Sequence, residues 1–242
     1  MSHYDPETGG ASCPIFRKKG KRAVVLCNGP QPPVPLLDYW LKGADIFVCA
    51  DAAGHPYDHL PREPDVVIGD FDSLAGRILS GRDGPKFLQV ADQYTTDSEK
   101  ALLYLIGEGF EEVILMGSTG WRLDHTLYNV QLLERFADQL RILIAGHHAD
   151  TVRLGAGSQV SWDISPGVLF SVIPMCGLVT GVTFEGAMYP LLGETLEPGG
   201  PATISNRVTM SPLLISVGTG ALLVAVDREL GPDFIEDIFE EE

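Results

Sequence analysis

The segment PDVVIGDFDSL, Pro64 to Leu74, decides how the chain is read. Val66 to Gly69 form a short apolar run that reads as a buried strand, and it ends on two carboxylates, Asp70 and Asp72, separated by Phe71. Along an extended chain, side chains two residues apart point the same way, so both acids are expected to face one spot beyond the strand's carboxyl end. Two neighbouring carboxylates repel each other. A hard divalent cation such as magnesium, which usually arrives with substrate phosphates, removes that cost. The same residues also have a purely structural reading, in which Asp72 caps a helix beginning near Ser73. The rest of the sequence separates the two.

Working outward, Ala23 to Ala145 alternates apolar strand-like runs (AVVLC, DIFVCA, DVVIG, KFLQV, EVILMG, RILIA) with helix-like ones (PLLDYWLKG, SEKALLYLIGEG, HTLYNVQLLERFA). Short continuous apolar strands separated by amphipathic helices predict a parallel sheet covered on both faces, and such sheets bind ligands beyond the carboxyl ends of their strands. After His147 the helical signal stops. TVRLGAGSQVSW, VLFSVIP, LVTGVTFEG, ATISNRV, LLISVG and ALLVAVD follow, with Gly and Pro between them, as in an antiparallel sandwich or barrel. The expected organisation is an N-terminal extension without regular order over 1–22, a parallel α/β domain over 23–146, an antiparallel β-sandwich domain over 147–230 and an acidic tail over 231–242. His147 and His148 fall in the linker and have no partner at metal-ligand spacing.

With 242 residues and 45% hydrophobic content, the chain can bury a substantial core. No apolar run is long enough to span a bilayer and the first residues lack a signal-peptide core, so a cytoplasmic location is expected, without membrane contact. Cys13, Cys27, Cys49 and Cys176 form no C-x-x-C pair, which indicates neither zinc nor a disulfide framework. A net charge of −16 argues against a nucleic-acid surface, so a polyanionic ligand has to come with metal.

Two further acidic clusters follow the Asp70–Asp72 pair. In ADQYTTDSEKALL, Thr96 and Glu99 form a capping box at the start of a helix, which leaves Asp92, Gln93 and Asp97 unexplained. If KFLQV lies beside DVVIG, Asp97 lies along the same sheet edge as Asp70 and Asp72. In GSTGWRLDHTL, Gly117 and Gly120 let the backbone pass close to a ligand, Arg122 offers a planar fork for phosphate, and Asp124 caps the following helix.

These stretches resemble the thiamine pyrophosphokinase family. The resemblance runs through ADAAGHPY, PDVVIGDFDSL, DQYTTDSEKAL, GSTGWRLDHTLYNVQLL, GAMYPL and TISN, in the family's order and over nearly everything after residue 22. It implies an enzyme that moves the pyrophosphoryl group of ATP onto the hydroxyethyl arm of thiamine and releases AMP. It also implies that Asp70, Asp72 and Asp97 carry magnesium, that Arg122 and Asp124 lie in the nucleotide and phosphate site with Gly117 and Ser118, and that Gln93 faces the thiamine pyrimidine. Asp51 and Thr96 belong to the same implied substrate-binding set. The family's homodimer is implied as well, with Tyr189, Ser205 and Asn206 of one chain completing the thiamine pocket over the other chain's acids. The 23–146 domain is then the catalytic one, and the 147–230 domain binds thiamine and dimerises.

Two departures stand out. DAAGH, Asp51 to His55, replaces the family's usual DGGAN, which leaves the backbone near Asp51 less open. Trp121 replaces a small residue in the glycine turn, where it either stacks on adenine or covers the turn; the sequence favours cover. Phosphoryl-type transfer needs mostly in-line approach and cancellation of phosphate charge, with Asp97 or Asp72 as the available base. Two rival readings remain. DFDSL also resembles the nucleophilic loop of haloacid-dehalogenase-like metal-dependent phosphatases, with Asp70 as covalent nucleophile, although Ser73 replaces the glycine of that loop and no later acidic pair with a catalytic Lys follows. The other is a non-catalytic thiamine- or nucleotide-binding sensor, which would be expected to have lost a metal acid.

Overall fold

The computed structural model describes residues 13–51, 53, 55, 57–71 and 84–228. They form two compact units, one of Lys18–His147 and one of Cys13–Arg17 together with the chain from His148.

The first unit is a parallel α/β sheet. Its strands are β1 (Arg22–Leu26), β2 (Ile46–Ala50), β3 (Val66–Gly69), β4 (Lys86–Gln89), β5 (Glu112–Met116) and β6 (Arg141–Ala145), in the order β6-β5-β1-β2-β3-β4. Every neighbouring pair is parallel. All residues of β1, β3 and β5 are buried, as expected for strands covered on both faces. The covering helices are α1 (Val34–Leu41), α2 (Asp97–Gly107) and α3 (Leu123–Arg135). Helix α1 buries Leu36, Leu37, Trp40 and Leu41, and α2 buries Ala101, Leu102 and Leu105. At the amino ends of the strands, Arg22 and Glu112 are each 1% exposed and pair at 3.0 Å. Glu112 also accepts from the Lys19 amide and pairs with Arg141, so one buried carboxylate ties the starts of β1, β5 and β6. With all strands parallel, their carboxyl ends emerge along the opposite edge.

The second unit is an antiparallel sandwich. Its strands are β7 (Ala149–Leu154), β8 (Gln159–Trp162), β9 (Leu169–Pro174), β10 (Val179–Glu185), β11 (Leu191–Leu196), β12 (Asn206–Arg207), β13 (Leu213–Ser216) and β14 (Leu222–Asp227). One set runs β12-β9-β14-β7 and the other β11-β10-β13-β8. Burial alternates along β7 and β14, so one face of that sheet is apolar. Phe170 of β9 and Phe184 of β10 meet edge to face at 5.6 Å and are both fully buried, which joins the two sheets.

Sequence and structure differ at a few places. Strand β11 carries no signal in the sequence because LLGETL contains Gly193 and leaves four consecutive residues exposed, giving no alternation. ATISNRV contributes only the two residues of β12. Residues 13–17, expected within an N-terminal extension, bury Cys13, Ile15 and Phe16 in the sandwich unit instead; burying three apolar side chains outweighs the entropy of fixing the chain there. Residues 1–12 and the acidic tail lie outside the described residues. No helix among the described residues is long and apolar enough to cross a membrane.

Cys13, Cys27 and Cys49 are buried and Cys176 is exposed. Burial pushes the Cys27 thiol up to about 12 and raises those of Cys13 and Cys49 as well, so all three stay protonated and unreactive at neutral pH. Titration of the native protein with an aromatic disulfide reagent should therefore show one prompt thiol, lost in Cys176→Ser, and all four only after denaturation. Prompt reaction of a second thiol would contradict the burial of Cys13, Cys27 or Cys49.

Candidate active site

Strands β2 and β3 run out side by side onto two acids. The Asp51 amide donates to the Ile68 carbonyl at 2.8 Å, and Asp51 itself is 6% exposed with a left-handed backbone, φ 52°. Gly69 explains how the strands come so close. A Cβ there would lie 3.0 Å from the Asp51 Cα, so any side chain would push the two strand ends apart. Asp70 follows at once, and then Phe71 turns left-handed, φ 64°, burying its ring edge-on to Phe87 at 5.8 Å. The extended geometry assumed for Asp70 and Asp72 therefore stops at Phe71: burying that ring turns the chain. Asp72 and the helix expected from Ser73 lie outside the described residues.

The first turn of α2 stands at the same edge. Thr96 is its N-cap, accepting from the Glu99 amide at 3.3 Å. The reciprocal half of the expected capping box does not form. The fully buried Glu99 carboxylate instead accepts from the Tyr128 hydroxyl at 2.6 Å, while the Arg135 guanidinium lies 2.7 Å from its other oxygen as an ion pair. Both partners belong to α3, and their charge and hydroxyl outcompete the Thr96 backbone amide. Ser98 contacts the Cys27 thiol at 3.3 Å. Lys100, with its side chain 3% exposed, donates to Asp97 Oδ1 at 2.8 Å. Burial raises the Asp97 carboxyl above the usual range; Lys100 opposes this, while Asp51 and Asp70 add to it. Asp51, Asp70 and Asp97 thus share one electrostatic neighbourhood. Asp92, left open by the capping box, forms a turn by accepting from the Tyr94 amide and the Thr95 hydroxyl. Gln93 is exposed in that loop.

The glycine turn after β5 is built differently from the sequence expectation. Gly117 (φ 59°) and Gly120 (φ 102°) have their missing side chains covered by the Cys27 carbonyl at 2.6 Å and the Pro30 ring at 2.7 Å. These glycines admit the chain after β1, not a ligand. Ser118 is 5% exposed, its carbonyl accepts from Asn129 Nδ2, and its hydroxyl has no hydrogen-bond partner among the described residues. The N-cap of α3 is Arg122, without a side-chain cap, and Asp124 lies inside the first turn. Asp124 therefore does not cap the helix. It holds Arg122 through two bonds, of 3.1 and 2.6 Å, and accepts from the His125 amide. The Arg122 bonds hold its carboxyl down at about 2. Trp121 is 82% exposed with φ 41°, so it does not cover the turn, because its backbone conformation carries the ring outward.

The remaining candidates belong to the sandwich unit. The Asn206 amide, 6% exposed, accepts from the Tyr189 and Arg207 amides and donates to the Tyr189 carbonyl, leaving the Tyr189 ring 68% exposed. Ser205 is exposed and left-handed, φ 55°, with its amide bonded to Ser171 Oγ. Among the described residues, no group of three His, Cys, Asp or Glu side chains is close enough to enclose a metal. Lys100 is the residue that sequence reasoning missed. An Asp97–Lys100 pair three residues apart reads as an ordinary surface pair on a helix.

Residues 37–144 match the family described as thiamin pyrophosphokinase, catalytic domain, and residues 161–222 match thiamin pyrophosphokinase, vitamin B1 binding domain. Thiamine pyrophosphokinase 1 of Arabidopsis thaliana is 30% identical over 243 residues, covering 86% of this chain and 87% of the relative. The crystal structure of thiamin pyrophosphokinase from Geobacillus thermodenitrificans superposes with a TM-score of 0.74 at 25% identity, over 86% of this chain and 98% of that one. Yeast thiamin pyrophosphokinase shares the fold at 16% identity, with a TM-score of 0.76 over 87% of each chain.

Lys100→Met removes the partner of a carboxylate that already has two acidic neighbours. Because the Asp97 side chain keeps 32% of its exposure, the expected loss is about 1–3 kcal/mol, less than for a fully buried pair. Denaturant unfolding without divalent metal measures it, and Lys100→Met combined with Asp97→Asn should recover most of the loss. An unchanged midpoint in Lys100→Met would show that the pair contributes nothing.

Proposed function

The chain belongs to the thiamine pyrophosphokinase family and is an enzyme of that activity, and we propose that Asp70, Asp72, Asp97 and Arg122 carry its reaction at the carboxyl edge of the parallel sheet. ATP and thiamine are the substrates, and the pyrophosphoryl group passes to the thiamine hydroxyl with release of AMP. The observation that carries the site assignment is the buried first turn of α2, which fixes Asp97 in one electrostatic neighbourhood with Asp51 and Asp70. Family membership does not favour the phosphatase reading of Asp70 as a covalent nucleophile.

The acids fit a magnesium ion. They are hard oxygen donors, and the repulsion that Asp51 and Asp70 exert on Asp97 is the kind a cation relieves. Asp70, Asp72 and Asp97 would hold it, and when bound it supplies charge neutralisation to the polyphosphate. The protein's own groups do the rest. Arg122 exchanges its exposed partner Asp124 for phosphate oxygens, keeping a bidentate geometry. Gly117 and the Ser118 hydroxyl, which has no hydrogen-bond partner among the described residues, line the same turn. Thr96 holds the α2 terminus, Asp51 braces the edge, and Gln93 faces the thiamine pyrimidine. Lys100 occupies Oδ1 of Asp97 and leaves Oδ2 available. The thiamine hydroxyl gives its proton to Asp97 or Asp72 as its oxygen bonds to the β-phosphorus and the bond to the α-phosphate oxygen breaks.

Incubation with ATP, thiamine and magnesium should release AMP only when thiamine is present; the absence of AMP would favour the sensor reading. Asp97→Asn should nearly abolish release while the protein stays folded. Arg122→Lys should lose more than about tenfold in kcat/KM, on the order of 1.4 kcal/mol, since a point charge cannot replace a bidentate fork. Near-normal kcat/KM in Arg122→Lys would place that residue outside the phosphate site.

The working form is a homodimer with shared sites. What supports this is the exposed apolar surface of the sandwich unit, where Met188 is 50%, Tyr189 68%, Leu192 72% and Met210 66% exposed. Tyr189 and Ser205 of one chain then complete the thiamine pocket over the other chain's acids, with Asn206 holding Tyr189 in place. Refolding an Asp97→Asn chain together with an Asn206→Ala chain, each inactive alone, tests this. In every mixed dimer one site carries both defects and the other neither, so random pairing should restore about a quarter of wild-type activity. Background activity in dimers shown to have exchanged would mean that each chain closes its own site.

A further inference from the structure

We infer that Trp121 is the residue on which the adenine ring of the nucleotide stacks, a specificity contact presented by the glycine turn; the inference rests on the turn from Gly117 to Asp124 being the ATP site. Of the three tryptophans, Trp40 is 0% and Trp162 6% exposed, whereas Trp121 is 82% exposed. A large aromatic ring left in water gains nothing from burial within its own unit, and a Trp is the side chain whose exposure most needs an occupant. Its backbone sharpens the point. At φ 41° a bulky residue is strained, and glycine would sit there at no such cost.

The ring is presented by a braced turn. Thr126 Oγ1 accepts from the Gly120 amide at 3.0 Å and donates to the Arg122 carbonyl at 3.0 Å, so both neighbours of Trp121 are tied to one side chain of α3. The Pro30 ring closes against Gly120 from the other side. Trp121 is thus held outward at a fixed point, next in sequence to the guanidinium proposed for phosphate. Leu123, next after Arg122 in sequence, is 72% exposed as well. A planar apolar platform beside a phosphate-binding fork matches a nucleotide, whose base stacks and whose phosphates pair.

The buried placement of Trp40 and Trp162 makes the test direct, since iodide quenching of the native protein reports Trp121. AMP should quench or shift that emission saturably and protect it from iodide, whereas inorganic tripolyphosphate, which has no base, should leave it unchanged. Trp121→Gly should keep or raise thermal stability because the left-handed strain is relieved. It should also raise KM for ATP about tenfold with kcat and the KM for thiamine little changed. Trp121→Phe should recover part of the ATP affinity. An emission indifferent to AMP, an AMP response that survives in Trp121→Gly, or an unchanged KM for ATP in that variant would overturn the inference, as would protection from iodide that depends on protein concentration and not on AMP. Fluorescence needs no turnover. A chain that quenches with AMP but never releases AMP from ATP and thiamine would sink the activity reading and leave the stacking intact, while an active chain with an unresponsive Trp121 would do the reverse.

Discussion

The site depends on burying the charged first turn of α2. Ser98, Glu99 and Lys100 are consecutive, polar and buried, and a helix terminus of that composition is stable in the interior only if each group is answered. Each has an answer from a different direction: Cys27 at the end of β1, Tyr128 and Arg135 on α3, and Asp97 on the helix itself. The cost of leaving any of them unpaired is what fixes the position of Asp97. The Glu99 contacts also set α3 against α2, so the turn carrying Arg122 and the helix end carrying Asp97 are held by the same network.

Backbone strain gathers at or beside the residues proposed for the site. Four non-glycine residues among those described have left-handed backbones: Asp51, Phe71, Trp121 and Ser205. One is itself an acid of the carboxyl edge, one separates Asp70 from Asp72, one precedes Arg122 and one precedes Asn206. Strain of this kind persists only where the surrounding structure over-determines it, and it marks positions shaped by something other than folding. The glycines work differently. Gly69, Gly117 and Gly120 face protein backbone or Pro30, so they let strand ends and loops converge and thereby place the strained residues.

The parallel sheet was legible because its strands other than β4 are buried on both faces and read as continuous apolar runs. The sandwich was legible because most of its strands alternate; β11, with Gly193 and four exposed residues in a row, did not. At the site, residue types survived translation into structure better than their roles. Asp70 directly follows β3, whereas Asp97 and Arg122 stand at the starts of the helices that follow β4 and β5. The capping box failed because Glu99 found Tyr128 and Arg135, residues far off in sequence whose approach no local pattern encodes. Asp124 was read as a cap but pairs with Arg122, and Asn206, read as a ligand group, uses its amide on the Tyr189 backbone. Each miss replaces a local expectation with a tertiary partner.

Two of the acid–base pairs of the α/β unit show how burial divides their roles. Arg122–Asp124 and Lys100–Asp97 are both close pairs, but the first has side chains 67% and 65% exposed, whereas the lysine of the second is 3% exposed. Water competes with an exposed pair at every moment, so Arg122 surrenders its carboxylate at little cost when a more highly charged phosphate presents the same two oxygens. Lys100 has no such freedom, because releasing Asp97 would strand an ammonium in the interior. In a chain with a net charge of −16, a polyphosphate at the proposed site would therefore meet an exchangeable cation in Arg122 and a fixed one in Lys100. The mobile one suits binding the substrate. The fixed one suits keeping Asp97 in a single orientation whether or not the substrate is there.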